Sequence, residues 1–457
     1  MMKVGSVIVS GTNLWSRANS PIARLTLASM MAVAASLGLA KYVALTSGPV
    51  GVGVLAAMLG TASILVALSN LGLPWVLPTQ IRSGDSGRSV GFLALVVEGA
   101  ILGVVSLWVF LAMASSTLER LLGPYSDGIV VVWAGFAAMG TLSILCLSAV
   151  SSRIHGAKTA ARQTGLGAVA AAIVAVLSMN TAEATIPQAI GWGGVAACLF
   201  AALEWILLVV HLHRQSEGCH VHRPEGIVKY SVLFIKGIST WAVALPIGVA
   251  WGLFPVLALS ALGGEEAGIL RAGLTIGMLL VTVGNPWVAY DTFPKLAEAY
   301  ESDDDIGPLI RTARKRLLLR LGPLALVLVL AGPLLMVTFY SQEFAVAAYL
   351  LPLTVTFALL QVGSQVGQGV LKARHDIRSQ LWTQLAPALL LLLMVLAAAT
   401  WAPRSWGMAV ALVGYGVALF LSVEFCLWRS ATPSLLNARR WSTSQLPPRG
   451  TDQGNPV

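Results

Sequence analysis

The feature that most limits how this chain can fold is a series of long apolar runs, each closed by a short polar break. A helix rises about 1.5 Å per residue, so about 20 apolar residues cross the roughly 30 Å hydrocarbon layer of a membrane. Runs suited to this lie at 22–45, 50–73, 90–113, 128–150, 164–179 and 188–211. Six more lie at 231–260, 268–290, 318–340, 346–370, 381–400 and 407–428. Composition points the same way, with 56% apolar residues, 11% charged residues and a mean hydropathy of +0.79. Water-soluble domains carry about 25% charged residues, so lipid must solvate most of this surface. The expected fold is an all-α integral membrane protein of about 12 transmembrane helices.

The distribution of charge tests that count. With the N-terminus inside, 24 of the 29 Lys and Arg residues fall on the cytoplasmic side, and the outer loops keep Arg120 and Arg404. Such a bias is the mark of cytoplasmic loops, and it places both termini in the cytoplasm. It also explains the net charge of +9 without nucleic acid. The first apolar run is longer than a signal-peptide core, so no cleavable leader is expected. Residues 213–230 form a polar linker, and 430–457 have the composition of a disordered cytoplasmic tail. The chain thus divides into an N-terminal lobe (1–212), the linker, a C-terminal lobe (231–429) and the tail. Pro74-Trp75-Val76 and Pro286-Trp287-Val288 lie 212 residues apart, as do Arg24 and Lys236, which suggests two six-helix repeats.

The segment SGPVGVGVLAAMLGTASILVALSNLGLPWV (47–76) resembles the opening of Wzx-type O-antigen and polysaccharide flippases. These belong to the multidrug/oligosaccharidyl-lipid/polysaccharide exporter superfamily. FPKLAEAY (293–300), YSQEFAVAAYLL (340–351) and VLKARHDIRSQL (370–381) extend the likeness. The resemblance implies two lobes around a central cavity, an architecture like that of MATE and MurJ transporters. It implies a multi-pass protein of the bacterial inner membrane that flips an undecaprenyl-pyrophosphate-linked oligosaccharide by alternating access. A polysaccharide polymerase and a chain-length regulator are the implied protein partners. No cofactor is expected: a G-x-x-x-x-G-K-[S/T] phosphate loop is missing from the sequence, and an H+ or Na+ gradient would supply the work.

A pyrophosphate crossing hydrocarbon needs fixed cations, and those in or at the edges of the spans are Arg24, Lys41, Lys236 and Arg271. Arg24, Lys41 and Arg271 lie near enough to span ends to snorkel to the headgroups, and Glu265 or Glu266 could pair with Arg271. Glu98, Glu204 and Asp291 are acids within spans and candidates for ion coupling, the alternative being structural ion pairs. Pro74 and Pro286 are candidate hinges, since proline removes a helix hydrogen bond; they could also simply end helices. His211, His213, Cys219, His220 and His222 cluster in the linker without a recurring zinc-ligand spacing, so no metal site is expected. Two rival functions remain. A multidrug antiporter of the same superfamily would need acids in its cavity, and a glycan polymerase or ligase would need a sizeable catalytic outer loop. The longest outer loop here is about 114–127.

Overall fold

The computed structural model describes residues 21–72, 128–154, 157–182, 184–216, 228–301, 306–374, 376–401 and 404–431, with six residues between 101 and 108. The described residues are almost wholly helical. The helices are α1 (Pro21–Ser69), α2 (Gly128–Ile154), α3 (Ala157–Thr181), α4 (Ile186–Ser216), α5 (Val228–Leu262), α6 (Gly264–Gly277) and α7 (Leu279–Trp287). They continue with α8 (Phe293–Glu301), α9 (Ile306–Leu330), α10 (Gly332–Phe339), α11 (Leu351–Ala373), α12 (Ile377–Trp401) and α13 (Ser405–Ala431). A π turn, Val288–Thr292, joins α7 to α8, and a 3₁₀ segment, Gln342–Leu350, leads into α11. Among the described residues nine helices are long and apolar enough to cross a membrane, or ten if the bent pair α9 and α10 forms one span. Their outer faces are greasy, with Leu330 73% and Leu334 69% exposed, as lipid requires and water does not tolerate. The protein is a multi-pass membrane protein.

Several departures from the expected spans have local causes. The first two runs are assigned as one 49-residue helix, which would measure about 74 Å if straight. Gly48, at φ 59° and ψ −161°, is not helical, and it divides α1 into two arms at the turn expected between 45 and 50. The fifth span is longer than 164–179 because its polar start, Ala157 to Gln163, is also helical. The ninth is broken: Pro333 follows Gly332, lacks an N–H, and α10 leaves α9 at 75°. Most of run 90–113 lies outside the described residues.

The first arm set (α1, α2, α3 and α4) packs together, and α5, α11, α12 and α13 form a second bundle. The two meet along the second arm of α1, which lies against α5 and α6. Close approach is possible there because the facing residues are small. A methyl added at Gly53 would strike the Gly264 carbonyl, and one at Gly60 the Gly252 carbonyl. Small residues let helices associate in lipid through backbone contact. Near the far end of this seam, Trp241 Nε1 donates to the Ala67 carbonyl at 2.8 Å.

Candidate functional site

α6 carries the deepest cation that the structure describes. It follows Gly263, whose φ of 79° separates it from α5. Its flank is fixed by Thr354 of α11, whose buried hydroxyl donates to the Gly273 carbonyl at 3.1 Å. On its other side Gly264 and Gly268 lie against Val50 and Pro49 of α1. Arg271 lines a cavity of about 350 Å³. Ala56 of α1, Trp251, Phe254, Pro255 and Ala258 of α5, and Ala267, Leu270 and Leu274 of α6 complete its wall.

The alternative pairing of Arg271 with Glu265 or Glu266 does not form. Helix neighbours are three or four residues apart, and these acids stand six and five residues away. Glu266 instead accepts the backbone N–H of Ser405 at 3.0 Å, a favourable place for a carboxylate because α13 begins there. Among the described residues no carboxylate lies within 4.0 Å of Arg271. Its electrostatic neighbour is Tyr340, a buried phenol beside Thr275. Tyr340 in turn packs on Phe344, ring centroids 5.0 Å apart. The cavity therefore presents one guanidinium and aromatic walls, with no acid among its lining residues.

The other candidates are placed as follows. Lys41 is exposed, and its Nζ donates to the Thr338 carbonyl at 2.7 Å, near the C-terminal end of α10. It is thus tied to a helix end, where cations are favoured, and is not a lining residue of the Arg271 cavity. Arg24 falls in the first turn of α1 and Lys236 two turns into α5, but their side chains lie outside the described residues. Glu98 and Pro74 also lie outside them. So do Cys219, His220 and His222, and the side chains of His211 and His213.

Glu204 of α4 accepts Gln163 Nε2 at 2.8 Å and lies 3.8 Å from Arg162, both on α3, so it holds a structural contact between helices. Asp291 lies in the π turn, 2.5 Å from Lys295 and 4.0 Å from Arg320. Pro286 does not interrupt its helix: it is buried inside α7. It lacks the N–H that the Thr282 carbonyl would accept, and the helix returns to regular bonding only after the π turn. The residues that sequence reasoning missed are Trp251 and Tyr340, distant in sequence and joined to Arg271 only by packing. Their signal in the sequence was limited to being polar-tipped aromatics inside apolar runs.

Searches of family models and of curated proteins return no match to this chain. Comparison of folds does. A multidrug-resistance MATE transporter of the MOP superfamily, inward-facing, superposes with a TM-score of 0.61 at 14% identity, covering 91% of this chain and all of that one. The lipid II flippase MurJ, inward closed, gives 0.60 at 13% identity, covering 88% and 87% of the two chains. A MOP superfamily transporter from Pyrococcus furiosus Vc1 (DSM3638), whose reversed pocket polarity suggests a different function, gives 0.51 at 13% identity, covering 89% and 95%. The chain has the MATE/MurJ fold.

Proposed function

We propose that this protein is a flippase for a polyprenyl-pyrophosphate-linked glycan in a bacterial inner membrane, working by alternating access between its two lobes. The observation that carries the reading is Arg271. Arg271 lies inside the span 264–287, where a bare charge is costly, so an unpaired guanidinium facing a cavity calls for an anionic ligand. Its planar fork suits two phosphate oxygens, and the aromatic wall beside it excludes water and strengthens the contact. Arg24 and Lys236 would add cations from the two lobes along the path. Coupling to H+ or Na+, with Glu98 as the titrating acid, belongs to the same proposal.

The fold also serves multidrug transporters, one of which is among the structures it matches. A cationic drug requires an acid where this cavity carries Arg271, so the anionic cargo is preferred. The discriminating experiment compares binding of farnesyl pyrophosphate and of ethidium to the purified protein in detergent. Farnesyl pyrophosphate should bind, and Arg271→Gln should weaken it about tenfold or more, since a charge-assisted hydrogen bond contributes roughly 1.5–3 kcal/mol. Ethidium binding that is indifferent to pyrophosphate would favour the multidrug reading.

A further inference from the structure

A second basic recess lies at the opposite end of the helix run that carries Arg271. Asp291 is 20 residues beyond Arg271, or about 30 Å along the helices. The two sites are therefore separate, Arg271 inside the span 264–287 and Asp291 beyond its end. The recess opens between the π turn and α9, has a volume of about 400 Å³, and lies just past Trp287, the last residue of its apolar span. That is headgroup depth, where tryptophan commonly sits.

Its walls are built, not merely charged. The π turn brings Asp291 and Thr292 to the face opposite Thr312, Arg316 and Arg320 of α9. Arg316 and Arg320 stand one turn apart, and the Arg320 guanidinium lies 3.9 Å above the Trp287 ring. That stacking fixes the guanidinium before any ligand arrives. Lys295 and Arg320 share a single carboxylate, Asp291. Among the described residues no acid lies within 4.0 Å of Arg316. Three cations therefore face one anion in a concave site, leaving an excess of two positive charges. A solvated basic face would need neither the recess nor the stacked ring.

We propose that this recess binds a phosphate-type anion at the membrane interface, with Arg316 and Arg320 as its principal ligands and Thr292 and Thr312 as hydroxyl donors. Asp291 acts against the ligand: it holds Lys295 and Arg320 in place when the site is empty and competes with phosphate oxygens when it is full. The same chemistry is offered by a lipid headgroup and by free pyrophosphate.

The test uses the full-length protein and two probes. Inorganic pyrophosphate is titrated into protein in neutral detergent, and binding to phosphatidylglycerol is compared with phosphatidylcholine in nanodiscs. Arg316→Gln/Arg320→Gln should weaken the binding at least tenfold, whereas Arg271→Gln should leave this site intact. Asp291→Asn should tighten it several-fold, a result that a purely structural ion pair would not produce. Circular dichroism of each variant checks that the fold persists, and Arg320→Lys, which keeps charge but loses the planar stack, should fall between wild type and the double variant. A response to phosphatidylglycerol alone identifies a lipid site, and a response to pyrophosphate alone a soluble-anion site. If neither probe binds, if the double variant binds both as wild type does, or if Asp291→Asn weakens binding, the proposal is wrong.

Discussion

At the scale of single residues, the charges of this protein divide into those that hold helices and those that remain free. Arg314 of α9 is of the first kind: it pairs with Glu424 of α13 and lies over the Phe420 ring, 4.8 Å to its centroid. Asp376 is another. Its carboxylate accepts the Ser379 N–H at 3.0 Å, and its carbonyl accepts the Gln380 N–H at 3.0 Å, so it is the N-cap of α12. Burial alone would raise its pKa, but the Ser379 hydrogen bonds, with Arg374 and the Arg378 amide, outweigh it and hold the carboxyl below its ordinary value. A depressed folded-state pKa means the cap's contribution is complete above the unfolded value, about 3.9, and is lost as pH falls through the folded one. Asp376→Ala should therefore cost about 1 kcal/mol at pH 7, seen as a lower thermal midpoint in detergent, with the gap to wild type closing in acid. Arg271 is of the second kind. Its type and place inside a span were legible in the sequence. Its freedom was not, because Glu265 and Glu266 are near it along the chain, and only the helical turn sets them on other faces.

At the scale of elements, two glycines organise the helices. Gly48 (φ 59°, ψ −161°) divides the arms of α1, and Gly263 (φ 79°, ψ 173°) separates α5 from α6. Both lie in a region open essentially to glycine alone, where another residue costs about 1–3 kcal/mol. A Cβ at Gly263 meets nothing within 4 Å, so Gly263→Ala isolates backbone strain. It should lower the thermal midpoint. Gly322→Ala, in a helix interior with equally open surroundings, should leave it unchanged or raise it. Opposite signs for the same chemical change are the prediction; equal signs would remove the strain argument. The break at Gly48 was legible from Gly-Pro-x-Gly. The π turn after Pro286 was not, because proline announces a lost hydrogen bond without saying whether the helix stops, bends or widens. The 75° bend at Gly332-Pro333 escaped for the same reason, inside a run that reads as continuously apolar.

At the scale of the whole molecule, composition and run length carried most of the fold, since lipid solvation leaves few architectures other than a helical bundle. The arrangement of the bundle follows from contacts between distant small residues, Gly53 with Gly264 and Gly60 with Gly252, which no periodicity encodes. The orientation is tested by reporter fusions: 153–162, 217–227 and 372–378 should report the cytoplasm, and 401–406 the periplasm, with any reversal breaking the proposed topology. The central claim concerns the cargo, and it is tested most directly in proteoliposomes. A fluorescent sugar on a polyprenyl pyrophosphate is incorporated in both leaflets, and its accessibility to an external quencher is followed in time. The wild-type protein should move the lipid between leaflets, Arg271→Gln should slow it at least tenfold at equal incorporation, and Arg271→Lys should retain part of the rate. Flipping by Arg271→Gln at the wild-type rate, or no flipping by the wild-type protein under an imposed H+ or Na+ gradient, would contradict the account.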